Sequence, residues 1–580
     1  MDEVLLISSM AMLVVLAAFF SIVMSRLKFP PLVGFLVAGI LIANFLKMEE
    51  DAMDVVETFS KLGLIMLMFS IGMEIDVRKL RNQGKFALIV ALVQLPLMVA
   101  GGVLAGLLLG YNMLQSICLG AIISGSSTAV VLAVLKAQGS LDKEHIETLI
   151  LVVIMEDIGQ VIMLSMLTPM LSGSEMSGDA LIMLILQIAV FMIACFTLGL
   201  FLVPRIIDWF YKRSNDELIS LLCIGSAFAL AWAATKMGLD IAIGAFLMGV
   251  IVGTSRPRKA VEHFVDPLKS LFMAMFFISV GMEVSLNDLA GNVGLILIIF
   301  AVFAVCKFAF VYLGYWVGNG DSRVGFIASI SLCAMGEFAF IIAKQALDAG
   351  VYTQSLYSSV IGAAMVSMIV LPIIGKYSER SYDKITTHMP KPIGSIIDAL
   401  NRIRDGIYSA LSEISSMAKK SFTRGLASIY FLIFLVIIIE AIFYLIYDPM
   451  SWWMSNNLGL SERICRALMV GLNFVILFYP LKRIMDSVRL ILHILSMGKK
   501  KQNQNMDSED IELAETLNPM ILAGIVDILI IILTPNKLDT VDHLIVGTIL
   551  IALMVLYQVW KTKTGRKGSS LPSFDEDETA

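Results

Sequence analysis

The sequence has little charge, and it groups neither cysteine nor histidine in a way that would build a disulfide framework or a metal site. Asp, Glu, Lys and Arg make up 16% of its 580 residues, whereas 58% are hydrophobic. The six cysteines lie in or at the end of apolar segments without paired spacing, and the five histidines are scattered. This composition excludes soluble globular classes and disfavours a structural metal.

The sequence also lacks the motifs expected for binding nucleotides or nucleic acids. No Walker-type Gly-Lys-Ser/Thr occurs, and no Gly-x-Gly-x-x-Gly has a strand-turn-helix setting. The formal net charge is -5, and the basic residues are spread over short loops. We therefore expect no nucleotide, no nucleic acid, no cofactor and no enzymatic step, and we expect the lipid bilayer as the main partner.

Apolar segments of bilayer-spanning length dominate the chain and predict an all-α polytopic membrane protein. We place about 13 spans before residue 375, near 4–24, 30–46, 58–73, 86–109, 114–135, 146–171, 179–203, 217–236, 240–253, 264–282, 292–318, 323–347 and 353–374. Four further candidates lie near 424–447, 464–480, 519–533 and 542–560. Lys and Arg fall in alternate loops, which predicts an outside amino terminus and a cytoplasmic segment after residue 374.

Two motifs recur in this apolar sequence. FSIGMEID at 69–76 is answered by FISVGMEV at 277–284, an offset of 279 minus 70, or 209, between Ser70 and Ser279. The run that begins at Gly34 is answered, 210 residues later, by the run that begins at Gly244. The shift equals seven spans, an odd number, so the repeat is predicted to be inverted. Inverted repeats are typical of secondary transporters with a site near the middle of the membrane.

An acidic pair, Glu156 and Asp157, lies at the centre of the predicted span LILVVIMEDIGQVIML. A charge at this depth costs about 2.5 to 3.5 kcal/mol on insertion scales, so it calls for a partner or a function. Adjacent buried carboxylates suit competition between protons and a hard cation. The alternative is that the pair marks a helix end or a satisfied internal ion pair.

One basic residue, Lys307, is central to a span within the first 380 residues, and we expect it to neutralise Glu156 and leave Asp157 to bind the ion. Its alternative is to extend to the membrane interface. Ser124-Gly125-Ser126-Ser127-Thr128 and Ala334-Met335-Gly336-Glu337 are natural places for broken helices, whose free carbonyls can coordinate a cation. Close packing of small residues is the alternative for the first run. For Glu337 we favour a structural or helix-dipole role over direct ion ligation.

Together these runs resemble the monovalent cation:proton antiporter-2 family, which includes Kef-type potassium efflux proteins and NapA-like sodium/proton antiporters. The resemblance covers about the first 375 residues and depends on FPPLVGFLVAGILIA, FSIGMEID, SGSSTAVVLAVL, MEDIGQV, DIAIGAFLMGVIVG, FFISVGMEV and CAMGEFAFIIAKQAL taken together. It implies a homodimer, with a dimerisation domain and a mobile core in which two broken helices cross. Alternating access would then follow from an elevator-like movement of the core.

The resemblance also assigns roles to residues of this sequence. Asp157 matches the family's ion- and proton-binding aspartate, and Ser127 and Thr128 match the unwound crossing segment. Glu337 matches its Gly-Glu-Phe partner, and Lys307 is similar to the basic residue that pairs with the first acidic position in NapA-like members. That first position is Glu156, where Kef-type members have glutamine and typical electrogenic sodium antiporters have aspartate.

The combined expectation is an inner-membrane antiporter that exchanges Na⁺ or K⁺ for H⁺ at Asp157, with no soluble nucleotide-binding domain. The alternatives are a passive cation channel gated by the carboxy-terminal spans and a non-transporting membrane sensor. The predicted antiporter domain is 1–380, with repeats at about 1–171 and 217–375 joined by the span 179–203. It is followed by a predicted amphipathic cytoplasmic linker at 381–423, an additional membrane region at 424–562 and a disordered cytoplasmic tail at 563–580.

Overall fold

The structure is a computed structural model that describes most of the chain up to residue 388 and part of the chain beyond it. The described residues are 3–45, 50–75, 77–138, 141–171, 199–237, 239–388, 395, 401–458 without 403, 410, 412 and 413, and scattered residues between 465 and 494. The chain divides into two compact units, Met1–Glu175 with Leu181–Met389, and Met176–Ala180 with Pro390–Ala580.

The first unit is a bundle of helices that we number in chain order. They are α1 Glu3–Arg26, α2 Pro31–Phe45, α3 Glu50–Glu74, α4 Val77–Leu108, α5 Met113–Ile123, α6 Thr128–Gln138, α7 Lys143–Leu171, α8 Leu200–Tyr211, α9 Asp216–Lys236, α10 Ile241–Gly253, α11 Arg258–Met282, α12 Leu286–Gly291, α13 Val293–Val317, α14 Ser322–Ser331, α15 Glu337–Asp348, α16 Gln354–Gly375 and α17 Ser378–Thr387. In the second unit, α18 runs over Ser416–Leu458.

The predicted all-α membrane fold is confirmed. Within the described residues, seven helical segments are long and apolar enough to cross a bilayer: Met53–Glu74, Gly84–Leu108, Lys143–Thr168, Asp216–Lys236, Arg258–Met282, Val293–Val317 and Gln354–Gly375. The predicted spans 519–533 and 542–560 and the predicted tail lie outside the described residues, as do most of the span 179–203 and about half of the span 464–480. The predicted span 424–447 lies inside α18, a helix of 43 residues.

The two copies of the repeated motifs meet each other in the first unit. Gly39 lies in the run that begins at Gly34, and it faces Gly281 in FISVGMEV, the second copy of the other motif. A Cβ built on Gly39 would lie 3.0 Å from the Cα of Gly281. The equivalent contact joins Gly249 and Gly72, where a Cβ on Gly249 would lie 2.9 Å from the Cα of Gly72. Each copy of one motif therefore packs on the copy of the other motif that belongs to the other repeat. Both contacts need a residue without a side chain.

Replacing Gly249 with alanine is expected to destabilise the bundle by about 1 to 3 kcal/mol, as overpacking of a close-packed interior does. The new methyl group would lie 2.1 Å from the backbone oxygen of Phe69, which cannot rotate away. The measurement is the thermal unfolding midpoint of the purified protein in detergent.

The matched control is Gly225→Ala on α9, where a Cβ would meet no atom of the described residues within 4 Å. Both substitutions make the same gain in helix propensity, so they differ only in the contact. Equal unfolding midpoints for the two variants would contradict the crowded contact at Gly249.

Candidate ion-binding site

The first break separates α5 from α6. Helix α5 ends at Ile123, α6 begins at Thr128, and residues 124–127 between them are not helical. Each half has 11 residues, which gives a length of about 16 Å at 1.5 Å per residue. Neither half can span a hydrocarbon core of about 30 Å alone, so the backbone groups freed at the break lie inside the protein.

The second break lies between α14 and α15, and it pairs with the first. Ser126 and Met335 form an isolated antiparallel bridge, in which the amide of Ser127 donates to the carbonyl oxygen of Ala334 at 2.9 Å. The hydroxyl of Ser126 donates to the carbonyl oxygen of Leu332 at 2.8 Å. A Cβ on Gly336 would lie 2.8 Å from the carbonyl oxygen of Ser126. The two predicted broken helices are thus confirmed, and they cross backbone to backbone.

Lys307 and Glu156 form a fully buried ion pair beside this crossing. The Lys307 Nζ lies 2.9 Å from the Glu156 Oε2, and both side chains are 0% exposed. The amide of Gln94 donates to the other carboxylate oxygen of Glu156. Lys307 also donates to the carbonyl oxygen of Ser124 at 3.0 Å. The structure therefore places this lysine in the protein interior and not at a membrane interface.

Asp157, the residue after Glu156, is buried without such a partner among the described residues. Its side chain is buried, with 5% exposure, and it makes no hydrogen bond to the part of the protein that the structure describes. Ser127, in the first break, is 1% exposed, and its hydroxyl has no partner among the described residues. Thr128 begins α6 and is partly exposed. Oxygen atoms of this kind suit a hard alkali cation.

The helix ends at the crossing carry compensating charges. Ser124 is the C-cap of α5, so the Lys307 ammonium meets the negative end of that half-helix. Glu337 occupies the first turn of α15, whose N-cap, Gly336, supplies no side-chain hydrogen bond. A carboxylate is favourable at this positive end. The dipole role of Glu337 stays a prediction.

Sequence reasoning missed two buried glutamines. Gln94 on α4 and Gln160 on α7 are each 0% exposed. Gln94 holds Glu156, and the Nε2 of Gln160 donates to the carbonyl oxygen of Ala121 at 3.4 Å. Both are neutral, so a search for ionisable groups passes over them. A buried amide still needs hydrogen-bond partners. Gln160 follows Glu156 by four residues, and this spacing could have identified it as a second polar group on the same helix face.

The glutamates of the repeated motif lie at helix ends, where each pairs with a lysine. Glu74 ends α3 and its carboxylate lies 3.3 Å from the Lys269 Nζ, whereas Glu283 caps α11 and pairs with Lys344. The described residues contain no group of three or more His, Cys, Asp or Glu side chains that could hold a metal ion.

Comparisons with known proteins agree with this architecture. The model of the family described as sodium/hydrogen exchanger, transmembrane, matches residues 13–377. K(+) efflux antiporter 5 of Arabidopsis thaliana is 29% identical over 377 residues, which are 64% of this chain and 66% of the relative. The Na(+)/H(+)-K(+) antiporter GerN of Bacillus cereus is 25% identical over 360 residues, which are 62% of this chain and 92% of GerN. This chain therefore spans slightly less than two thirds of the plant protein.

Among solved structures, the sodium proton antiporter MjNhaP1 from Methanocaldococcus jannaschii is similar with a TM-score of 0.52 and 17% sequence identity. The match covers 66% of this chain and 98% of MjNhaP1. At this level of identity the similarity establishes the fold alone.

Proposed function

Because this chain belongs to the sodium/hydrogen exchanger family, we propose that it is a secondary active antiporter that exchanges Na⁺ or K⁺ for H⁺. Asp157 binds the cation and the proton in turn, and Ser127, Thr128 and nearby backbone carbonyls complete the cation's coordination. The transported ions are substrates, so the reaction needs no cofactor.

One observation carries this proposal: two adjacent buried carboxylates have different partners. Glu156 forms a direct ion pair with Lys307 at 2.9 Å, whereas Asp157 forms neither a direct ion pair nor a hydrogen bond within the described part of the chain. An isolated buried carboxylate is strongly disfavoured, so Asp157 needs either a proton or a cation at any moment. One site that holds either ligand but not both supports obligatory exchange.

The pair beside the site sets the charge that moves in each cycle. Lys307 and Glu156 together carry no net charge, and Lys307 also neutralises the negative end of α5. Asp157 is therefore the only member of the acidic pair whose charge changes. The charge of Glu156 is cancelled by Lys307 and does not add to that of Asp157.

We place the protein in the inner (plasma) membrane as a homodimer, with its amino terminus outside and the segment after residue 374 in the cytoplasm. Alternating access moves the helices that carry the crossing against those that carry the repeated glycine contacts. Contacts between the two groups, which include Lys344 on α15 with Glu283 at the end of α11, break and re-form during this movement.

Reconstitution of the full chain into liposomes with a trapped pH dye tests the proposal. Addition of Na⁺ or K⁺ outside is expected to drive protons out of the lumen, with a dependence on cation concentration that saturates. A potassium ionophore clamps the voltage when Na⁺ is tested. Cation flux that continues without proton movement would instead favour the channel, and cation binding without any flux would favour the sensor.

A further inference from the structure

Gln160 is a buried polar side chain one helical turn beyond Asp157. It is 0% exposed, and it follows Asp157 by three residues on α7, so the two side chains lie on the same helix face. Neither the sequence motifs nor the ion pair of Glu156 gives it a role. A buried amide with an unused polar atom requires an explanation.

The hydrogen bond to α5 fixes which way the amide points. Its nitrogen donates to the carbonyl oxygen of Ala121 at 3.4 Å, and a carbonyl can only accept. The amide oxygen is therefore turned towards the break, where it approaches Gly125 so closely that a Cβ there would lie 1.8 Å from it. This oxygen has no partner among the described residues.

Three oxygen-bearing groups without hydrogen-bond partners among the described residues thus belong to the break between α5 and α6 and to α7, which packs on it. They are the Asp157 carboxylate, the Ser127 hydroxyl and the Gln160 amide oxygen. Carbonyl oxygens can replace the hydration shell of an alkali cation. We propose that the Gln160 side-chain oxygen is a cation ligand that favours cation binding over proton binding at Asp157.

The chemical reason is that an amide oxygen coordinates a cation but is not protonated near neutral pH. It therefore strengthens one competitor for Asp157 and leaves the other unaffected. Loss of the oxygen should weaken cation binding at every pH and move the half-maximal activity, at a fixed subsaturating cation concentration, to higher pH. The inference rests on the proposed antiport function and adds a determinant of substrate preference to it.

The test compares Gln160→Met and Gln160→Asn with the wild-type chain in liposomes. Methionine keeps the length and most of the volume of glutamine without its oxygen, and asparagine withdraws the oxygen by one carbon. We expect the apparent KM for the transported cation to rise about tenfold, which corresponds to about 1.4 kcal/mol of binding free energy, while the maximal rate changes little. The ratio of the apparent KM values for Na⁺ and K⁺ should change as well.

The control is Ser165→Ala, a substitution of another buried polar residue on α7 whose hydroxyl donates to the carbonyl oxygen of Val161 at 2.8 Å. It should leave the apparent KM and the pH profile unchanged. If the methionine variant cannot be purified, the asparagine variant gives the same readout.

An unchanged KM and pH profile in the Gln160 variants, with wild-type exchange intact, would overturn the ligand role. A lower maximal rate with an unchanged KM would overturn it in favour of packing against Gly125. A wild-type chain without cation-dependent proton movement would instead contradict the antiport function itself, so the two failures are distinguishable.

Discussion

Replacing Asp157 with asparagine is expected to abolish cation-dependent proton movement while leaving the protein folded. The amide has nearly the same shape as the carboxyl group, but it does not take up and release a proton near neutral pH, and it carries no negative charge to hold a cation. Since the side chain is buried with 5% exposure and makes no hydrogen bond within the described part of the chain, few contacts are lost. The measurement is dye-reported proton flux in liposomes over a range of pH.

The control for this variant is Asp266→Asn, which removes an exposed carboxylate from α11. It should keep wild-type exchange. If the Asp157 variant ran at the wild-type rate and pH dependence, Asp157 would not be the shared site for the two ions. Size-exclusion profiles and unfolding midpoints of both variants verify that any loss of flux is not a loss of folding.

The second large effect is expected for Lys307→Leu. Removal of the ammonium leaves the Glu156 carboxylate buried and unpaired, and breaking a buried ion pair from one side costs about 3 to 5 kcal/mol. The carbonyl oxygen of Ser124 also loses its donor. We expect a clearly lower unfolding midpoint in detergent and a poor yield of folded protein.

The double variant Glu156→Gln/Lys307→Leu separates stability from function. It removes both charges, and a neutral glutamine can still meet the Gln94 amide, so most of the lost stability should return. A double variant no more stable than Lys307→Leu would contradict the account of the buried pair. If the double variant transports, its voltage dependence then measures how much the pair contributes to the charge moved per cycle.

Much of the fold could be predicted from the sequence because the membrane penalises irregular backbone. Hydroxyl and glycine residues at 124–128, and Gly336 before Glu337, interrupt apolar segments that would otherwise span. Both breaks are found at these places. The sequence also predicts that Lys307 forms an ion pair inside the protein, because a buried charge requires a counter-charge and an acidic pair lies at the centre of another span.

Other features of the site could not be read in this way. Gln94 and Gln160 carry no charge, so their cost of insertion does not stand out from that of neighbouring polar residues. The direction of the Gln160 amide depends on Ala121, which lies 39 residues earlier and belongs to another helix. The ion-binding roles of Asp157, Ser127 and Thr128 stay predictions until flux is measured.

The helix boundaries show a similar limit. Helix α3 begins at Glu50 and α4 at Val77, each eight or more residues before the start of the predicted span. The added turns are rich in charged residues, which a hydropathy pattern assigns to loops. Nothing in helix propensity stops a helix at the membrane surface, so the helix continues although the apolar run does not.

The reciprocal glycine contacts have a mechanical consequence. Backbones that touch at Gly39 with Gly281 and at Gly72 with Gly249 leave no side chains whose rearrangement could absorb sliding. A third contact joins the two pairs, because a Cβ on Gly63 of α3 would lie 2.2 Å from the backbone oxygen of Phe272 on α11. Helices α2, α3, α10 and α11 should therefore behave as a single stiff frame. Any motion that carries the ion across the bilayer would have to be a displacement relative to this frame, and a crosslink within it should leave turnover intact.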